Sequence, residues 1–131
     1  MEIAAEYRDA IVEHALEEDP NECCGILAGV QGLIKKHYRI TNAEKSPYRY
    51  SLDGKEFLEA LREIDDRGWE IQVFYHSHTH SPAYPSATDV RLATWPDAYY
   101  LLVSLLDKSA PEIRLFSILD GEVSEKRVDI T

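Results

Sequence analysis

Between Tyr75 and Asp89 the chain concentrates side chains able to bind a cation: His76, His78 and His80, then Ser86 and Asp89. His76 and His78 are two apart, so on an extended segment both imidazoles project to one side, as two ligands of one ion must. A carboxylate is still needed, and Asp89 is the nearest. A loop that turns back would present it from the first turn of a following helix. Two histidines and one carboxylate, with a fourth position left to water, form the ligand set of catalytic zinc. Structural zinc is instead enclosed by protein, mostly by thiolates. The same residues also admit plain roles. A histidine-rich loop can simply be solvent-exposed, and Ser86 with Asp89 has the spacing of a helix capping box.

The surrounding pattern indicates what would position these groups. Apolar residues from Ile3 to Leu16 recur at helical spacing, which predicts a first amphipathic helix ending before Pro20-Asn21. Cys23 to Val30 and Leu33 to Ile40 read as two strands of a hairpin turning at Gln31-Gly32. Asn42 to Tyr50 reads as a loop. Asp53 and Glu56 have capping-box spacing, and the stripe Phe57, Leu58, Leu61, Ile64 predicts a second helix that stops at Arg67-Gly68. Ile71 to Tyr75 is a continuous apolar run, read as a strand buried on both faces that delivers His76 at its end. Residues 77–85 read as loop, and a short helix is expected from Ser86 to about Ala93. Strands are expected at Tyr99 to Leu106, Ile113 to Leu119 and Glu122 to Ile130, the last two joined by an Asp120-Gly121 hairpin turn. The fold class is therefore α/β, a mixed β-sheet flanked by helices.

Length and charge narrow the function. The 131 residues suit one domain, 1–131, and 44% hydrophobic with 29% charged residues is the balance of a soluble globular chain. A formal charge of −10 repels phosphate backbones, so nucleic acid is not expected as a partner. The N-terminus has neither the basic start nor the apolar stretch of a signal peptide, and no apolar run reaches membrane-spanning length, so no membrane association and a cytoplasmic address are expected. The adjacent cysteines Cys23 and Cys24 cannot pair without severe strain, which points to a reducing compartment. On an extended segment they face opposite ways, so at most one could reach a metal, and packing in the core is the expected role.

The spacing of His76, His78, Ser86 and Asp89, with Glu22 upstream in Pro20-Asn21-Glu22-Cys23-Cys24-Gly25, resembles the JAMM motif of MPN-domain metallopeptidases. The order of elements through Leu106 agrees. This resemblance implies a single MPN-type domain, similar in fold to the cytidine deaminases. It implies one zinc ion on His76, His78 and Asp89, with Glu22 as general base and Ser86 as hydrogen-bond donor to the oxyanion. That family commonly has Pro directly after the second histidine; here Thr79-His80 follows. The change bears on loop rigidity and makes His80 a rival ligand, although the spacing of Asp89 and its partner Ser86 favour Asp89. His14 and His37 are expected at the surface or core edge, and Trp69, Trp95 and the tyrosines as packing residues, with Tyr84 in the active-site loop.

The short chain and its Ala83-Tyr84-Pro85-Ser86-Ala87-Thr88-Asp89 segment resemble the prokaryotic single-domain branch. For that branch the implied partner is a ubiquitin-like sulfur carrier protein, or its C-terminal adduct, cut after Gly-Gly. Two other readings are a catalytically silent MPN scaffold, whose members typically lack the ligands retained here, and a zinc deaminase, which would need a Cys-x-x-Cys pair that this chain lacks.

Overall fold

A computed structural model describes residues 1–131, which form eight strands and three helices. The first helix, α1 (Ala5–Glu18), turns Ile11, His14 and Ala15 inward at three- and four-residue spacing. It begins two residues later than its periodicity suggests. Ile3 is used instead by a short strand, β1 (Glu2–Ile3), which pairs in parallel with β8 (Asp129–Ile130). Burying Ile3 to 1% exposure ties the two ends of the chain together, which a local pattern cannot reveal.

The main sheet has six strands in the order β3-β2-β4-β5-β6-β7. β2 (Cys24–Val30) and β3 (Leu33–Ile40) form the expected hairpin, with Gln31 and Gly32 both at positive φ, as a tight two-residue turn requires. β4 (Glu70–His78) lies antiparallel to β2 and parallel to β5 (Tyr99–Ser104). β6 (Glu112–Leu119) and β7 (Glu122–Lys126) turn at Asp120-Gly121, again with both φ positive. Three expectations need correction. The strand bearing His76 continues to His78, because pairing with β5 persists to His78↔Ser104. The final expected strand is broken, since β7 ends at Lys126 before β8 departs to meet β1. The fifth strand also stops at Ser104, two residues earlier than its apolar run.

Each face of the sheet carries its own core. α1 covers one, with Ile11, Ala15, Leu27, Val73, Tyr75 and Leu101. The second helix, α2 (Gly54–Asp66), covers the other, with Ile26, Ala60, Ile64, Phe74 and Leu102. Asp53 caps α2 by accepting the Glu56 N–H at 3.0 Å, but the Glu56 carboxylate reaches the Thr41 N–H and leaves the box half closed. Cys23 joins the α1-side core and Cys24 the α2-side core, as alternation along a strand demands. No helix is long and apolar enough to cross a membrane.

Behind β4 lies a polar cluster that local periodicity did not reveal. The Tyr75 hydroxyl meets His14 Nδ1 at 2.7 Å and His37 Nε2 at 2.6 Å. One phenol proton can serve only one imidazole, so the other imidazole must donate its own N–H to the phenol oxygen. Gly25 makes the crossing possible: a Cβ there would stand 2.4 Å from the Tyr75 hydroxyl and 2.4 Å from the Tyr38 carbonyl oxygen.

Candidate active site

The site is assembled at the C-terminal end of β4. His76 and His78 project from its α2 side, and both are buried. Asp89 arrives from α3 (Ala87–Leu92), a single-turn helix whose N-cap is Ser86. The capping box is complete: Ser86 Oγ accepts the Asp89 N–H at 3.0 Å, and Asp89 Oδ2 accepts the Ser86 N–H at 2.9 Å. The box that starts the helix also aims the Asp89 carboxylate at the two histidines.

His76 Nε2 and His78 Nε2 are 3.3 Å apart, and Asp89 Oδ2 lies 3.1 Å and 3.0 Å from them. Ligands about 2.0–2.1 Å from a tetrahedral zinc stand roughly 3.3 Å from one another. The three donor atoms therefore fit such an ion with little movement. The tautomer of His78 supports the same conclusion. Its Nδ1 faces the Pro82 carbonyl at 2.9 Å and must carry a proton, so a neutral His78 turns the Nε2 lone pair toward the Asp89 carboxylate. That contact is satisfied by a cation between the two groups or by a proton on Nε2, which burial opposes and the bond to Asp89 favours, with a net rise in the His78 pKa. His76, His78 and Asp89 could therefore hold a metal ion. Burial alone would raise the Asp89 carboxyl, but the two imidazoles and the Ser86 N–H beside it hold it well below the usual carboxylate range.

Glu22 leaves the sheet just before β2. Cys24 pairs with His76, so period-two alternation puts Glu22 on the side of the histidines. Its carboxyl is buried, and Oε1 has no hydrogen-bond partner. Burial pushes this carboxyl up to about 8; the charge on His78 opposes the rise and that on Asp89 adds to it. An orphaned buried oxygen beside a cation site is what a proton acceptor for bound water would present.

The rival ligand does not join the cluster. His80 is exposed, its Nδ1 is 2.8 Å from Thr79 Oγ1, and its ring lies 5.7 Å from that of Tyr48. Thr79, standing where Pro is common, supplies a substitute for Pro's rigidity: its hydroxyl donates to the Pro47 carbonyl at 3.1 Å and fastens the metal loop to the segment after Asn42. The cysteines stay out of the site. Burial pushes the Cys23 thiol up to about 12, and the Cys24 thiol donates to the Ile40 carbonyl. His14 and His37 lie on the opposite face of β4 with Tyr75. Tyr84 packs edge-on against Phe116 and remains half exposed.

Two supporting residues carried no signal in the pattern of the sequence. The Tyr50 ring stacks on His76 at 4.3 Å. Buried Asn42 donates to the carbonyls of Glu22 and Arg49 and accepts the N–H groups of Glu44 and Ser51, which organises the loop beside Glu22. An Asn opening a polar loop was the only hint.

Known proteins similar to this chain point to one family. The family described as prokaryotic homologs of the JAB domain matches residues 4–119. The CysO-cysteine peptidase of Mycobacterium tuberculosis is 46% identical over 130 residues, covering 98% of this chain and 89% of that protein. The desampylase of Haloferax volcanii is 37% identical over 111 residues, 79% of this chain and 80% of its own. A crystal structure of a JAB1/MPN domain protein from Archaeoglobus fulgidus superposes with a TM-score of 0.65 at 20% identity, over 98% of each chain. This chain belongs to the prokaryotic JAB-domain branch of the JAMM/MPN family and is a JAMM-type hydrolase.

Proposed function

We propose that this protein is a zinc-dependent peptidase that cuts the amide bond following the C-terminal Gly-Gly of a ubiquitin-like sulfur carrier protein. His76, His78 and Asp89 hold the ion, Glu22 is the general base, and Ser86 steadies the oxyanion. The observation that carries this reading is the set of three donor atoms at tetrahedral spacing, with His78 Nδ1 taken up by the Pro82 carbonyl and Nε2 turned to Asp89. A zinc ion bound there supplies Lewis acidity, which makes water acidic near neutrality and polarises the scissile carbonyl. Glu22 Oε1 takes the proton of the attacking water and passes it to the departing amine. Ser86 spends only a lone pair on the helix cap, since its oxygen accepts from the Asp89 N–H. Its own proton remains free for the oxyanion of the tetrahedral intermediate. The cap and the catalytic role, which would compete for a single hydroxyl, use different parts of it.

Two observations support the choice of substrate. One is the 46% identity to an enzyme whose name gives a carrier–cysteine adduct as its substrate. The other is a cavity of about 300 Å³ beside Tyr50, lined by Leu52, Phe57, Phe74, Trp95 and Tyr100 among others, with no charged side chain in its wall. Gly-Gly has no side chain to recognise, so recognition must begin further up an extended tail, at about 3.3–3.6 Å per residue. An uncharged recess next to His76 suits an apolar residue there. Two buried, unpaired thiols fit a reducing cytoplasm as the site of action.

The test is a panel of carrier-protein adducts extended beyond Gly-Gly, incubated with zinc-loaded protein and followed by mass spectrometry. Cleavage after Gly-Gly is expected, with about one zinc per chain. Glu22→Gln should keep the zinc and lose amide hydrolysis; full activity in that variant would remove Glu22 from the mechanism. Cleavage of a folded-protein isopeptide alone would move the substrate to deconjugation.

A further inference from the structure

We infer that Ser77 is a positioning residue that fixes the base Glu22 in register with the metal ligands, an inference that rests on the role given to Glu22 above. β2 and β4 run antiparallel, with Cys24 opposite His76. One step outward, Cys23 meets Ser77, and there the pairing changes. The Ser77 N–H donates to the Cys23 carbonyl at 3.1 Å, as in a regular pair. The Cys23 N–H goes instead to Ser77 Oγ at 2.8 Å. Residues facing each other in a hydrogen-bonded antiparallel pair normally exchange two backbone bonds. A side-chain oxygen has replaced one of the acceptors.

The consequence is geometric. Regular pairing of β2 with β4 ends at Cys24, and at Cys23 the Ser77 hydroxyl stands in for a backbone acceptor. The backbone of Glu22 is thereby released from the sheet and taken up by the neighbouring loop: its N–H donates to the Ser46 carbonyl at 2.9 Å, and its carbonyl accepts from Asn42 Nδ2 at 3.0 Å. Ser77 is 0% and Cys23 1% exposed, so no water stands ready to replace the hydroxyl. Ser77 is bonded on either side to His76 and His78, while alternation turns its side chain to the opposite face. The residue between the two ligands therefore grips the residue next to the base. The Ser77 hydroxyl bond is the one that ties Glu22 directly to the strand bearing the two imidazoles, while Ser46 and Asn42 hold it to the loop.

Removing this hydroxyl should move Glu22 and leave the imidazoles in place. A misplacement of about 1 Å can cost roughly 100-fold in rate. Ser77→Ala, loaded with zinc, should lose about 10- to 100-fold in kcat with KM within about twofold and zinc content unchanged. Ser77→Thr, which keeps the hydroxyl, should recover most of that loss. In the Glu22→Gln background Ser77→Ala should add no further loss, because the group it positions is already disabled. Independently of activity, amide hydrogen exchange at Cys23 should quicken by about tenfold or more in Ser77→Ala and stay slow in Ser77→Thr. If the alanine variant does not fold, Ser77→Cys, a poorer acceptor of similar shape, should give an intermediate loss.

The inference is overturned if Ser77→Ala keeps its kcat, if its loss multiplies with that of Glu22→Gln, if zinc is lost in step with activity, or if protection at Cys23 is unchanged. Should the wild-type protein cut none of the adducts, the substrate assignment fails. Exchange at Cys23 and the placement of the Glu22 carboxylate in a crystal structure of Ser77→Ala with zinc still decide the role of Ser77.

Discussion

The cluster of Tyr75, His14 and His37 predicts how stability depends on pH. Burial, then the charges of Arg39 and His37, lower the pKa of His14 from 6.5 to about 4. Unfolding exposes this imidazole to water, where it titrates near its ordinary value. Between pH 4 and 6.5 the unfolded chain thus binds more protons than the folded one, and stability must rise with pH across that window. The contribution is fully present above about pH 6.5 and is lost as pH falls toward 4. At 1.36 kcal/mol per pKa unit, the shift of His14 is worth on the order of 3 kcal/mol. His37 acts in the same direction, but it is half-buried and counts for less. The assay is urea denaturation of wild-type protein and His14→Gln at several pH values from 7 to 4.5. Subtracting the two curves removes the pH dependence of the metal ligands and carboxylates, which both proteins share. The wild-type curve should be steeper by up to roughly 1.4 kcal/mol per pH unit below pH 6. Parallel curves would refute the claim that His14 is held neutral by its burial against Tyr75.

Gly25→Ala should destabilise the fold by about 1–3 kcal/mol, because the new Cβ would sit 2.4 Å from both the Tyr75 ring and the Tyr38 carbonyl; a thermal melt matching wild type would contradict this. Ser86→Ala should cost about 1 kcal/mol through the lost cap and lower kcat by about 100-fold or more. Ser86→Asp should restore the cap without restoring kcat, and recovery of both in that variant would confine Ser86 to its structural role.

The elements were legible wherever the signal was local. The Asp120-Gly121 turn, the cap at Asp53 and the stop at Gly68 each rest on residues adjacent in sequence. The three-way meeting of His76, His78 and Asp89 was legible because strand alternation and a capping box, both short-range patterns, happen to converge. What stayed hidden depends on partners far along the chain. Ile3 looks like the first helical residue until Ile130 is known to lie beside it. His37 looks like an ordinary strand histidine until a phenol 38 residues away arrives through the notch at Gly25. The continuation of β4 to His78 was hidden for the same reason, since it requires pairing with Ser104.

The order of residues along β4 gives this arrangement its economy. From Phe74 to His78 the even positions face α2 and end in the two imidazoles, whereas the odd positions face α1 and end in two hydroxyls. Those hydroxyls point away from the three donor atoms, and each reaches a different neighbour: Tyr75 reaches His14 of α1 and His37 of β3, and Ser77 reaches the backbone beside Glu22. One stretch of strand therefore sets His76 and His78 on one side and anchors α1, β3 and the segment of Glu22 on the other. A shift of β4 by one residue would exchange the faces and place hydroxyls where the ligands belong. Gly25 and the Cys24–His76 pairing guard against that slip, since only Gly25 leaves space for the phenol to cross β2. Register on this strand is thus the quantity on which the fold and the candidate site both depend, and Gly25, Tyr75 and Ser77 secure it although none of them faces the three donor atoms.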